Sequence, residues 1–62
     1  MDALERVMSL RQDDEVQVYY DLDRQKVAVY RVERMDLPEA VYLRSAQRVM
    51  RYSPSYLASR LR

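Results

Sequence analysis

The chain has no cysteine, histidine or glycine among its 62 residues, and it also lacks isoleucine, phenylalanine, asparagine, threonine and tryptophan. Each absence closes off a kind of chemistry. Without cysteine there is no disulfide, no thiolate nucleophile and no thiolate metal ligand. Without histidine the one side chain that titrates unaided near neutral pH is gone, and acid–base catalysis would rest on shifted carboxylates. Any metal site would be built from oxygen ligands alone. Without glycine there is no Gly-rich phosphate loop. A chain of this length would average about four glycines. Eight missing residue types point to a strong compositional bias or to an engineered, simplified alphabet with no native function.

Long hydrophobic runs are missing too. Nothing approaches the roughly 20 apolar residues that span a bilayer, and the acidic N-terminus (Asp2, Glu5) carries no signal-peptide stretch. A soluble, cytoplasmic protein with no membrane partner is expected. What is present is globular in character, with 48% hydrophobic and 34% charged residues. Sixty-two residues make one domain, 1–62, and a core this small buries only about 60% of the unfolded surface. With disulfides and thiolate metal sites excluded, a homodimer or a protein partner is the expected support.

The net charge of +1 conceals a segregation. All ten acidic residues fall in positions 1–39, where six basic residues leave a balance of −4. From Ala40 onward there are five arginines and no acid. Such asymmetry points to nucleic acid or an acidic protein surface as partner, or to docking of the basic tail on the chain's own acids.

Hydrophobic periodicity divides the chain. Met1, Leu4, Val7, Met8 and Leu10 recur at helical spacing, predicting an amphipathic helix over 1–12, with Asp2 and Arg6 placed to pair. The period then becomes two. Val16, Val18 and Tyr20 form one strand and Lys26–Glu33 a second, joined through Asp21–Gln25. Turning about Asp23–Arg24 sets Tyr20 against Val27 and Val18 against Val29, leaving Tyr19, Ala28, Tyr30 and Val32 on the opposite face. Tyr19, Tyr30 and Val32 are therefore the candidate interface residues, since tyrosine joins apolar area to a polar tip. Downstream, Asp36-Leu37-Pro38-Glu39 reads as a helix start and predicts a helix to about Tyr52. Its apolar arc would hold Tyr42, Leu43, Ala46, Val49 and Met50, with Arg44, Gln47, Arg48 and Arg51 opposite. Ser53-Pro54 reads as the cap of a last helix over 54–62 that buries Leu57 and Leu61. The expected fold class is α+β, in the order αββαα.

Arg44, Arg48 and Arg51, at spacings of four and three, would line one helix face and offer guanidinium forks to phosphate. Arg60 adds a fourth candidate nucleic-acid-binding residue. The stretch Val27–Arg62, a strand followed by Leu37-Pro38-Glu39, a helix, Ser53-Pro54-Ser55 and a second helix, resembles ribbon-helix-helix repressors. That resemblance implies a strand paired between two subunits and inserted in a DNA major groove. Bases would be read by the Lys26, Ala28, Tyr30 and Val32 face or by the Val27, Val29 and Arg31 face. The chain departs from that family in giving the strand an intramolecular partner and in having no glycine between the helices.

Nothing suggests catalysis. Ser9, Ser45, Ser53, Ser55 and Ser59 have no base beside them in sequence and suit caps and helix surfaces. Asp13-Asp14-Glu15, the densest carboxylate group, suits a solvated loop. No cofactor, metal or small-molecule substrate is expected. The leading expectation is a dimeric, non-enzymatic DNA-binding regulator. The alternatives are an interaction adaptor or inhibitor using the tyrosine-bearing hairpin face, and the engineered chain without a partner.

Overall fold

The computed structural model describes residues 2–62. The elements run α1 (Ala3–Met8), β1 (Glu15–Asp21), β2 (Lys26–Asp36), β3 (Ala40–Arg44), β4 (Val49–Tyr52) and α2 (Pro54–Arg60). The strands form one antiparallel sheet in the order β1-β2-β3-β4, a meander in which each strand lies beside its sequence neighbour. The class is α+β, but the order is αββββα rather than αββαα.

The two terminal helices form where their caps are. Asp2 accepts a hydrogen bond from the Glu5 amide at 2.8 Å and starts α1, and Ser9 ends it. Asp2 thus caps instead of pairing with Arg6, which donates to the Arg62 carbonyl oxygen at the other terminus. The helix is shorter than expected, and Met1 of its expected stripe lies outside the described residues. Ser53 accepts from the Tyr56 amide at 3.1 Å and Pro54 occupies the first turn of α2, where its missing N–H costs nothing.

The expected helix over Pro38–Tyr52 does not exist. Pro38 follows a cis peptide bond in the tight connection between β2 and β3. The rest is a hairpin, in which Leu43 lies across from Met50 and Val41 across from Tyr52. The Ser45 hydroxyl accepts from the Gln47 and Arg48 amides, and the Ser45 amide donates to the Arg48 carbonyl at 2.8 Å, closing the turn. β-Branched and aromatic residues at 41, 42, 49 and 52 suit this pleated arrangement. The ribbon-helix-helix resemblance fails with the helix, since β2 is flanked by β1 and β3 of its own chain.

The first hairpin forms as expected but one residue out of register. Val16 faces Tyr30, Val18 faces Ala28 and Tyr19 faces Val27, with Tyr20 left over as a bulge before Asp21 pairs with Lys26. A one-residue slip exchanges faces. Tyr30 and Val32 consequently turn inward with Val16 and Val18. The inner face meets both helices, and Val7 of α1 and Leu57 of α2 join Val16, Val18, Val32, Val41 and Leu43 in one cluster. Val7, Val32, Val41, Leu43 and Leu57 are completely buried. No helix in the described residues is long and apolar enough to cross a membrane.

Leu43 sits at the centre of this layer. Truncation to alanine should remove about 2–5 kcal/mol, a large share of the 5–15 kcal/mol typical of a domain. Val49→Ala on the opposite, uncovered face should cost less than about 1 kcal/mol. Urea denaturation of both variants checks the assignment of the two faces.

Tyr52 closes the inner face, its hydroxyl directed at the Met50 sulfur and its ring stacked on Tyr56 at 5.6 Å. Burial, with the neighbouring Tyr30 and Tyr56 phenols, pushes its pKa up to about 12, against a smaller opposing pull from Arg48. The unfolded chain ionises near pH 10. The folded state therefore retains a proton that the unfolded state has lost, and stability present below pH 10 drains away as pH rises towards 12. The urea midpoint should fall across that window more steeply than in Tyr52→Phe, and ultraviolet titration should find one tyrosine ionising last.

Candidate functional site

Both helices cover one face of the sheet, so the other carries whatever the strands direct outward. Register and pleat sort that face into cross-strand rows. Arg34, Tyr42 and Arg51 form one row across β2, β3 and β4. Glu15, Arg31, Arg44 and Val49 form the next, across all four strands. Beyond it lie Gln17 beside Val29 and then Tyr19 beside Val27. The extra residue that puts Arg34 in its row is Glu33, bulged between the Val32–Leu43 and Arg34–Tyr42 pairs.

The two basic rows differ in electrostatic state. Arg44 donates to an Asp13 carboxylate oxygen at 2.7 Å and lies 3.7 Å from Glu33. The hydrogen bond to Asp13 raises the Arg44 pKa above its ordinary value, with partial desolvation opposing it and the charges of Asp13 and Glu33 adding to the rise. Arg31 lies 4.0 Å from Glu15 and donates to the Asp13 carbonyl at 2.8 Å. Arg31 and Arg44 are thus held by the acids that enter β1. Asp13 reaches them through a left-handed backbone conformation, φ 69°, which aspartate tolerates better than most residues.

The first row has no such neutralisation. The Arg34 guanidinium lies 3.9 Å from the centre of the Tyr42 ring, a cation–π geometry. Arg51 is exposed on the far side of the same tyrosine. Among the described residues neither arginine lies within ion-pairing distance of a carboxylate.

The expected arginine stripe is therefore dispersed. Arg44 and Arg51 reach the uncovered face, Arg48 lies in the β3–β4 turn, and Arg60 sits on α2 with its guanidinium over Tyr56 at 5.2 Å. The expected interface set is divided as well, with Tyr19 on the uncovered face, Tyr30 half-buried on the inner one and Val32 at the bottom of the core. Sequence reasoning missed Arg34 and Tyr42. The alternation of Tyr42 and Arg44 with Val41 and Leu43 was the available signal. No cluster of acidic side chains suited to a metal ion occurs among the described residues.

Comparison with known proteins gives no match: no family model fits the chain, and no curated protein or solved structure is similar to it.

The Asp13–Arg44 contact supplies a test of the electrostatic partition. Asp13→Asn retains a side chain tolerant of the left-handed backbone and removes only charge, so its small loss of stability should vanish in high salt. Asp13→Ala should fall about 1 kcal/mol further because alanine resists that conformation. Urea unfolding at low and high salt separates the two effects.

Proposed function

We propose that the protein is a small, non-enzymatic nucleic-acid-binding module, and that it takes single-stranded rather than duplex nucleic acid on the uncovered sheet face. The observation that carries this reading is the Arg34–Tyr42–Arg51 row, an aromatic ring flanked by two guanidinium groups that have no carboxylate partner among the described residues.

Single strands are held by a basic surface that follows the backbone and by flat side chains on which bases stack. Arg34 offers both, since the guanidinium face turned away from Tyr42 is a stacking platform and its edge donates to phosphate. Arg51 supplies a second phosphate contact across Tyr42. Arg31 and Arg44 contribute less, because Asp13, Glu15 and Glu33 offset them. The uncovered surface is a sheet face with no projecting helix to enter a major groove, which favours single strands over the duplex. The adaptor reading has less to stand on, with Tyr30 and Val32 facing the core.

Fluorescence anisotropy with a labelled pyrimidine oligonucleotide of about a dozen residues tests the reading, with the matching duplex as a second arm. Two phosphates neutralised on a single strand give a log–log salt slope of about −1.4. Replacing Arg34 and Arg51 together by alanine should abolish most of the binding. Arg34→Lys should keep the slope but weaken binding about tenfold, since the charge remains and the stacking plane is lost. Equal binding by wild type and the double variant, or tighter binding to the duplex, would overturn the proposal.

A further inference from the structure

β2 is longer than the strands on either side of it. β1 pairs with its Lys26–Arg31 half and β3 with its Arg31–Asp36 half, on opposite edges. On the β3 side the Lys26–Tyr30 half therefore has no neighbouring strand. The backbone alternation says which groups this leaves free. Val32 donates to the Asp14 carbonyl at 2.9 Å and accepts from the Asp13 amide at 2.8 Å, both on the β1 side. Stepping back by twos, Tyr30 and Ala28 also turn towards β1, and Val29 and Val27 turn away. The β1 strand gives the same answer independently. Gln17, directly opposite Val29, accepts from the Arg62 amide at 3.0 Å on the outer edge of β1. The Gln17 and Val29 backbone groups therefore point away from each other, and those of Val29 open into a groove.

That groove has two walls. β2 forms one wall, and the β3–β4 turn with Arg48 and Met50 forms the other, enclosing about 500 Å³.

Exposed strand edges in natural proteins are usually guarded. The outer edge of β1 is covered by the chain's own C-terminus, through the Val18–Leu61 bridge and the Arg62–Gln17 hydrogen bond. The outer edge of β4 carries Arg51, with Arg48 just before the strand. Among the described residues Val27-Ala28-Val29 on β2 has no strand, proline or bulge on its β3-side edge, and Val29 is 54% exposed.

We propose that this edge is a strand-addition site for an extended, acidic peptide segment of another protein, a second binding surface independent of the Arg34–Tyr42–Arg51 row. The incoming strand would lie antiparallel or parallel along Val27–Val29 and pair with their free N–H and C=O groups. Its acidity follows from Arg48, which lines the groove, and from Lys26, the residue of β2 just before Val27, both without an ion-pair partner among the described residues. Its central side chain, across from Ala28, would turn to the helix-bearing side between Tyr30 and Met50 and is therefore apolar. A second copy of β2 is a poor occupant. Antiparallel pairing over Val27–Val29 would place its Leu22–Gln25 turn, which directly precedes Lys26, where the Ser45–Arg48 turn already stands.

The test is selection of phage-displayed random peptides on the full chain, with amide hydrogen exchange as the structural readout. In the free protein the Val27 and Val29 amides should exchange faster than those of Ala28 and Tyr30. Selected peptides should be acidic with a central apolar residue, and should slow exchange at Val27 and Val29. Val29→Pro removes a donor facing the groove without touching the β1 ladder, and should weaken these peptides about tenfold or more. Arg48→Glu, which leaves the backbone alone, should weaken them as well and keeps the test valid if the proline variant folds badly. Replacing Arg34 and Arg51 by alanine should leave peptide binding unchanged. Equal protection of all four amides in the free protein, failure to select acidic peptides, or binding without protection at Val27 and Val29 would each overturn the proposal.

Discussion

Val32 holds two parts of the molecule in one place. Its side chain lies completely buried across from Leu43, within the layer that Val7 and Leu57 close from above. Its amide and carbonyl bond to Asp14 and Asp13, so the segment entering β1 is fastened to the same residue. Immediately after it comes the Glu33 bulge, which realigns the rest of β2 with β3. The inner layer is fixed by the first contact, the position of the acidic Asp13 by the second, and the outward row of Arg34 by the third. Removing apolar volume at this point would unsettle packing and the charged surface together, since the two share one strand.

The distribution of charge follows from that arrangement. Asp13 is brought against Arg44 because its neighbour Asp14 bonds to Val32, and because Asp13 adopts a left-handed conformation that the chain, having no glycine, assigns to aspartate. One half of the uncovered face becomes an internally compensated network of Arg31, Arg44, Asp13, Glu15 and Glu33. The other half keeps Arg34 and Arg51 uncompensated. The acid–base segregation visible along the chain is thus partly resolved by folding, as the acidic end meets two arginines and leaves others free. Such exposed pairs add little stability and are screened by salt. Their consequence is the local sign of the surface.

Much of the outer frame could be read from residues with local duties. Ser53 announces the last helix by capping, Pro54 fits its first turn, and the alternation over 15–33 marks the first hairpin, whereas the capping role of Asp2 was hidden behind its helical spacing from Arg6. Two things escaped. The register of that hairpin depends on the bulge at Tyr20, which no turn residue signals, and a single step moved Tyr30 and Val32 from surface to core. The segment from Ala40 to Tyr52 was ambiguous because Leu43 and Met50 are inward in either a helix or a hairpin. A turn made of Ser45, Ala46, Gln47 and Arg48 contains none of the usual glycine, proline or asparagine punctuation. The candidate site was hidden with it, since the Arg34–Tyr42–Arg51 row exists only when three strands lie side by side.

The marginal size of the chain suggested that a second copy would be needed for support, and the uncovered sheet face is the obvious place to dock one. Its chemistry argues otherwise. Val29 and Val49 are exposed there, but Arg31 and Arg44 share the row of Val49, and Arg34 and Arg51 lie in the row beyond it. Stacking two such faces would take Arg34 and Arg51 of both copies out of water, at a cost of several kcal/mol for each ion left unpaired. Scattered apolar residues on a surface are ordinary and do not by themselves require a partner. A polyanion reverses the sign of that argument, because it brings the missing negative charge and leaves the guanidinium groups hydrated at their edges. The same arginines that disfavour self-association through this face are the ones on which the proposed nucleic-acid reading rests.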